Sequence, residues 1–331
     1  MLNAFWAVMN PLLTLFICMV IGFIIRKTEI LPEYSGKVMA KLEMWIFCPA
    51  LSFSTMVNYF TVQSISVHAT NLFISLFLLL IILTIAIPLS KCFVKEKSDE
   101  RGIFAYSLAI ANMGYMGEPM VISMFGEEML SYYKIFCLPI TILIYVWGIS
   151  LLVPKTDSKP GINFKAIFNP SMIAMIIGII FGISGFSKYI PTFTTSAINS
   201  LKSCMAPVAM LVAGFTVAGY SVREMLKNKK IYLVSILRLV IIPIVAIGTL
   251  FGIIELANSV LNFNISNIPL FLAFFVVATP CGLNTIIFPE AYGGNPKTGA
   301  SMALISNILC VITIPVMYIL MVVLFGNGIS L

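Results

Sequence analysis

Long apolar stretches alternate with short charged ones along this chain, and the alternation predicts helices that cross a membrane. Ten apolar segments can be drawn, at 4–25, 38–57, 70–91, 102–126, 132–153, 167–187, 197–220, 231–254, 267–292 and 299–324. A helix needs about 20 apolar residues to cross the hydrocarbon core, so ten of them use most of the chain and leave only short loops and ends. Two segments are irregular. The fourth contains Asn112-Met-Gly-Tyr-Met-Gly-Glu-Pro119; the ninth contains Ala278-Thr-Pro-Cys-Gly-Leu-Asn284, followed by Phe288-Pro289-Glu290.

Composition turns this pattern into a class. Of 331 residues, 60% are apolar and 10% charged, against about 45–50% and about 25% in soluble domains, and the mean hydropathy is +1.04. So few charges cannot cover a water-soluble globule, and disorder demands the opposite, low hydrophobicity. The expected fold class is an all-α polytopic membrane protein embedded in a lipid bilayer. The net charge of +7 sits in short runs between apolar segments, with no basic domain, so no nucleic-acid partner is expected. The cysteines (Cys18, Cys48, Cys92, Cys137, Cys204, Cys281, Cys310) are scattered without a C-x-x-C, and most read as small hydrophobes. His68 is the single histidine, which removes a His-rich metal site; no metal or cofactor is expected. The first basic residue, Arg26, follows the first apolar run, whereas a signal peptide opens on positive charge. That run is expected to be a permanent span.

The basic residues orient the segments, because Lys and Arg concentrate in cytoplasmic loops. Sixteen of the twenty fall in odd-numbered loops: Arg26, Lys27, Lys37 and Lys41; Lys91, Lys95, Lys97 and Arg101; Lys155, Lys159 and Lys165; Arg223, Lys227, Lys229 and Lys230; and Lys297. The even-numbered loops hold Lys134, Lys188 and Lys202, and Arg238 lies inside segment 8. Odd loops are therefore expected inside and both termini outside, in a cell membrane of the bacterial inner-membrane type.

Short elements recur at a common spacing. Asn10-Pro11 opens segment 1 and Asn169-Pro170 opens segment 6, 159 residues later. Pro49-Ala-Leu and Pro207-Val-Ala, in segments 2 and 7, are 158 apart; Asn112-Met-Gly114 and Pro280-Cys-Gly282, in segments 4 and 9, are 168 apart. The domains expected are an N-terminal five-helix repeat over 1–153, a cytoplasmic linker over 154–166 and a C-terminal repeat over 167–331. Five is odd, so the halves are inverted. Inverted repeats with interrupted helices in matching positions mark secondary transporters.

Several motifs run through nearly the whole chain: Gly22-Phe-Ile-Ile-Arg26 with Leu31-Pro-Glu33; Pro49-Ala-Leu51; Ala111-Asn-Met-Gly-Tyr-Met-Gly117 with Pro119 and Phe125-Gly126; Asn169-Pro170; Ala206-Pro-Val-Ala-Met210; and Pro280 with Tyr292-Gly293. In order and placement they resemble the auxin efflux carrier family, the PIN-like transporters and their bacterial relatives. The resemblance implies ten transmembrane helices in two inverted five-helix repeats, a scaffold and a transport subdomain, and helices 4 and 9 broken and crossing near the membrane centre. It also implies transport of organic anions, auxin in plants and small carboxylates such as malate or malonate in some bacterial relatives. The short loop 5 looks bacterial. One departure is Glu118, where relatives usually carry an apolar residue before the proline of Gly-x-Pro.

The chemistry of the irregular segments fits a site. Pro119 and Pro280 lack an amide proton and clash with the preceding turn, and Gly114, Gly117 and Gly282 relax the backbone further. Both segments are expected to break there. A half-helix N-terminus presents free amides and partial positive charge, and two such ends facing one another bind a carboxylate without arginine. The expected substrate-binding residues are Asn112, Gly114, Glu118, Pro119, Pro280, Gly282 and Asn284, with Asn112 and Asn284 as side-chain donors. Glu118 stands where an ionised carboxylate costs about 2.5–3.5 kcal/mol on insertion scales. It is read as a proton-coupling or substrate-contacting acid, with a structural pair and a hydrated vestibule as alternatives. Arg238 is expected to snorkel to the cytoplasmic face, with anion attraction as the sharper alternative. Glu43 and Glu290 are expected at the interface, and Asn307 as a hydrogen-bonding link between helices. Gly178-x-x-x-Gly182 suits close helix packing, either within the protomer or in a homodimer.

The function expected is a secondary transporter moving a mono- or dicarboxylate by alternating access. An enzyme is not expected: H-E-x-x-H, G-x-S-x-G and P-loop motifs are absent, and both aspartates, Asp99 and Asp157, lie in loops. The alternatives are a carrier of a cationic or neutral metabolite, with Glu118 as counter-ion or proton carrier, and a membrane sensor that kept the fold without transport.

Overall fold

Apolar runs of this length become helices, and proline, glycine and buried charge decide where the helices bend and stop. The computed structural model describes residues 2–94, 99–152, 168–286, 288 and 296–325. The linker at 154–166, the loop lysines Lys95, Lys97, Lys155, Lys159 and Lys165, and Pro289, Glu290 and Tyr292-Gly293 lie outside the described residues. Helix α1 is Leu2–Lys27; α2 (Ser35–Leu42) runs through a π-helical turn, Glu43–Phe47, into α3 (Cys48–Tyr59). There follow α4 (Ile65–Phe93), α5 (Asp99–Ala109) and α6 (Glu118–Leu143), which continues through the π turn Ile144–Gly148 into α7 (Ile149–Leu152). Besides a single helical turn at Val222–Met225, the rest are α8 (Pro170–Ser184), α9 (Thr192–Ser203), α10 (Met205–Ala218), α11 (Lys229–Ile236), α12 (Ile242–Val260), α13 (Ile268–Val277) and α14 (Pro296–Phe325).

Among the described residues, 6 helical runs are long and apolar enough to cross a membrane: Phe5–Lys27, Val62–Phe93, Met113–Gly148, Thr192–Ala218, Lys229–Val260 and Lys297–Phe325. Pro170–Ser184 and Ile268–Val277 are shorter apolar helices. The chain is a polytopic, helical membrane protein. Met113–Gly148 is bent: Gly126, at φ +83°, turns the chain and folds the part before it back against the part after it.

Three prolines share one local design. Pro49, Pro119 and Pro243 each stand two residues after a five-residue π-helical turn, namely Glu43–Phe47, Met113–Gly117 and Leu237–Ile241. A mid-helix proline has no proton to donate, and its ring presses on the carbonyl four residues back. Widening that preceding turn to i→i+5 bonding relieves both problems, so the helix continues. Pro119 therefore does not break segment 4, contrary to expectation. The break lies upstream, between the end of α5 at Ala109 and the π turn that starts at Met113.

Helix α1 packs along α10, and α3 along α8. Glycine sets both contacts. A Cβ at Gly22 would overlap the Leu211 carbonyl oxygen, and one at Gly214 the Met19 carbonyl oxygen. A Cβ at Gly182 would overlap the Phe60 carbonyl oxygen, and one at Gly178 would lie 2.8 Å from the Phe53 carbonyl oxygen. Gly178-x-x-x-Gly182 thus serves packing within the chain. Gly182→Val is expected to destabilise the protein by about 1–3 kcal/mol through overpacking, read as an earlier melting transition in detergent. Gly248→Val, at a position with no atom within 4 Å of the added carbon, should melt with the wild type.

Two polar residues depart from expectation. Glu43 is 2% exposed, inside the bundle rather than at the interface, and accepts a hydrogen bond from the Cys48 thiol at 3.3 Å. Asn307 donates to the Ala303 carbonyl of its own helix at 2.7 Å rather than linking two helices. His68 is buried and stacks on Phe60 with ring centres 4.2 Å apart.

Candidate functional site

The two irregular segments meet. After Ala109 the chain leaves the helix over 110–112; after Val277 it stays non-helical to Leu283 and then makes another turn over 284–286. The two stretches form an antiparallel bridge, with Ala111 opposite Cys281. The Asn112 amide donates to the Pro280 carbonyl at 2.8 Å, and the Gly282 amide to the Ile110 carbonyl at 3.4 Å. Each break satisfies backbone that the other frees, which is the condition for irregular chain at membrane depth. The Cys281 amide donates to Ser306 Oγ at 3.0 Å.

Arg238 covers a third loose end. Where α13 stops, the last carbonyls have no amide one turn ahead. Arg238, 0% exposed, donates to the Val277 carbonyl at 2.6 Å and the Val276 carbonyl at 3.4 Å. A cation at a helix C-terminus also opposes the negative end of the helix dipole. Snorkelling is thereby overturned, because the guanidinium is sealed inside and bonded to backbone.

Beyond the bridge each segment starts again, Asn112 preceding the π turn Met113–Gly117 and Leu283 preceding the turn at 284–286. Both starts open on a cavity of about 170 Å³. Of the residues expected to bind substrate, Asn112, Gly114, Glu118, Gly282 and Asn284 line it. Pro119 and Pro280 do not. Pro119 sits in the first turn of α6, and Pro280 stands at the bridge, its carbonyl taken by Asn112. Asn112 is 2% exposed, and its Nδ2 has no hydrogen-bond partner among the described residues. Asn284 Nδ2 donates to the Tyr106 hydroxyl at 3.1 Å.

Glu118 is paired. Its Oε2 lies 2.7 Å from Lys134 Nζ, and the two side chains are 14% and 8% exposed. Lys134 also donates to Ser52 Oγ at 3.3 Å, and Ser52 Oγ is 2.7 Å from Ser171 Oγ. Lys134, Ser52 and Ser171 all line the same cavity. The sequence had placed Lys134 in an outer loop. It lies in α6 instead, and the turn at Gly126 folds it back onto Glu118. The signal for this was the apolar run Ile135-Phe-Cys-Leu138 that follows it directly. Lys202 is likewise helical, paired with Glu127 at 2.7 Å and bonded to Ser54 Oγ at 3.3 Å.

The family described as membrane transport protein matches residues 7–160 and 157–318. An uncharacterised transporter of Methanocaldococcus jannaschii is 27% identical over 216 residues, covering 63% of this chain and 69% of the relative. An uncharacterised transporter of Methanothermobacter thermautotrophicus is 24% identical over 265 residues, covering 78% of this chain and 82% of the relative.

Proposed function

The chain belongs to the membrane transport protein family, the family of the auxin efflux carriers, and from that membership we propose that it is a secondary transporter of a small organic anion, working by alternating access where the two broken segments cross. The cavity carries this reading. The start of the helical run at Met113, which favours anions, meets there the turn at 284–286, the Asn112 side-chain amide, unpartnered among the described residues, and the ammonium of Lys134. Its volume is below the roughly 300–1,000 Å³ of pockets for drug-sized ligands, which suits a small acid. Lys134 cancels the charge of Glu118, so the argument for a cationic substrate loses its footing. Glu118 remains the acid through which a proton gradient would couple.

Two inverted five-helix repeats are part of the proposal, supported by contacts that exchange between the halves. Under the offsets of 159 and 158 residues, the contact of Met19 with Gly214 becomes that of Gly178 with Met56, and both are made. The contact of Gly22 with Leu211 becomes Phe181 with Phe53, whose rings lie 5.9 Å apart. At the crossing, an offset of 170, in place of the 168 between the aligned motifs, turns the Asn112–Pro280 hydrogen bond into Gly282–Ile110.

The test is a thermal-shift screen over carboxylates, amines and neutral metabolites, followed by counterflow of the stabilising compound in vesicles. A ligand at 100 times its Kd stabilises by about 2.7 kcal/mol. Carboxylates are expected to raise the melting temperature and to show counterflow. Stabilisation by amines alone overturns the anion reading, and a stabilising acid without counterflow makes the protein a sensor.

A further inference from the structure

We propose that Lys134 is the counter-cation of the transported anion, and that the substrate carboxylate takes the place of Glu118 on its ammonium group. This rests on the anion reading above and identifies the residue that sets its charge selectivity. Among the described residues lining the cavity, Lys134 is the one cation. An ammonium carries three protons; among the described residues Glu118 takes one at 2.7 Å and Ser52 another at 3.3 Å. The third has no acceptor among the described residues, and the Asn112 amide, without a partner among them, lines the same cavity.

The pairing explains why a carboxylate stands in an anion site. A lone buried ammonium costs several kcal/mol to desolvate, and an empty carrier would have to turn over with that charge bare. With Glu118 on Lys134 the empty cavity is neutral. When a substrate carboxylate displaces Glu118, the cavity holds two negative groups and one positive. A proton taken up by the released Glu118 restores neutrality, leaving the Lys134 ammonium, the substrate carboxylate and a neutral Glu118 carboxyl. One proton therefore enters with each carboxylate. The other titratable groups within electrostatic reach of Glu118 are Tyr133 and Cys137 of α6, Tyr115 of the π turn, and Glu43 and Cys48 of the second segment. Of these and Glu118, only Glu118 is hydrogen-bonded to the ammonium among the described residues. A single cation also selects for charge. A monocarboxylate matches it, whereas a dicarboxylate brings a second charge with no second cation among the described residues of the lining.

The experiment uses the full chain in detergent, with acetate, lactate, pyruvate, malonate and malate as probes in thermal shift and calorimetry at pH 6 and pH 8. A monocarboxylate should bind the wild type, and its affinity should weaken about tenfold per pH unit where one proton binds with it. Glu118→Gln should abolish that pH dependence and bind the same acid more tightly than the wild type at pH 8. Lys134→Met alone leaves Glu118 unpaired and can fail to fold, so the decisive variant is the neutral pair Glu118→Gln/Lys134→Met. It should fold and bind none of the acids. A folded double variant with wild-type affinity overturns the role of Lys134, and tighter binding of malonate or malate than of any monocarboxylate overturns the substrate class. If no acid binds the wild type, the anion reading itself fails, a result distinct from the other two.

Discussion

Arg238→Leu should be among the most damaging single substitutions in this protein. Leucine fills much of the volume but removes both donors to the Val276 and Val277 carbonyls. Those carbonyls belong to a helix end 0–3% exposed, where water cannot replace the lost partner. Each buried acceptor left unsatisfied costs about 1–3 kcal/mol, so the pair predicts a loss of about 2–6 kcal/mol. The readout is the melting temperature of purified protein, with proteolysis of the 278–283 stretch as a local probe. Arg238→Lys should recover part of the loss, because one ammonium can reach one carbonyl but lacks the guanidinium fork. If Arg238→Leu instead melts with the wild type and loses anion binding, the residue acts on substrate and the capping role is wrong.

The same residue shows where reading the chain in one dimension stops. The dense apolar runs found where helices lie but not their ends: segments 3, 7 and 8 miss Ile65, Thr192 and Val260 by five or six residues, while segment 4 closes at 126, where Gly126 turns the chain. The two irregular motifs were legible because Gly, Pro and Asn crowd into spans that need none of them. Their cause was only half legible. Pro280 stands in its break, but Pro119 is absorbed by a π turn, and nothing in a single sequence says which outcome a proline will meet. Charge partners were least legible. Arg238 finds carbonyls 38 and 39 residues away. Lys134 finds Glu118 because one glycine in between reverses the chain, whereas counting basic residues by loop had claimed it as a loop residue.

Asn112→Ala should separate function from stability more sharply than any other change in the cavity. In a residue that serves packing, truncation lowers the melting temperature and spares activity. Asn112 has the opposite profile. Its side-chain amide is 2% exposed and lacks a hydrogen-bond partner among the described residues, so the folded protein carries the desolvation cost of an unmet donor. Removing it should leave the melting temperature of the unliganded protein unchanged or higher. The backbone role of the residue survives in alanine, because the bond to the Pro280 carbonyl runs from the main-chain amide. What alanine cannot supply is the donor to a bound carboxylate. Hydrogen bonds to charged groups contribute about 1.5–3 kcal/mol, so the affinity should fall roughly 10- to 150-fold. Asn112→Asp should be worse still, since it sets a carboxylate against the incoming anion at the start of the π turn. Uptake into vesicles and thermal shift with the best-binding acid measure the two sides together. Normal uptake by a folded Asn112→Ala carrier would remove Asn112 from the site, and a lower melting temperature with intact binding would return it to packing.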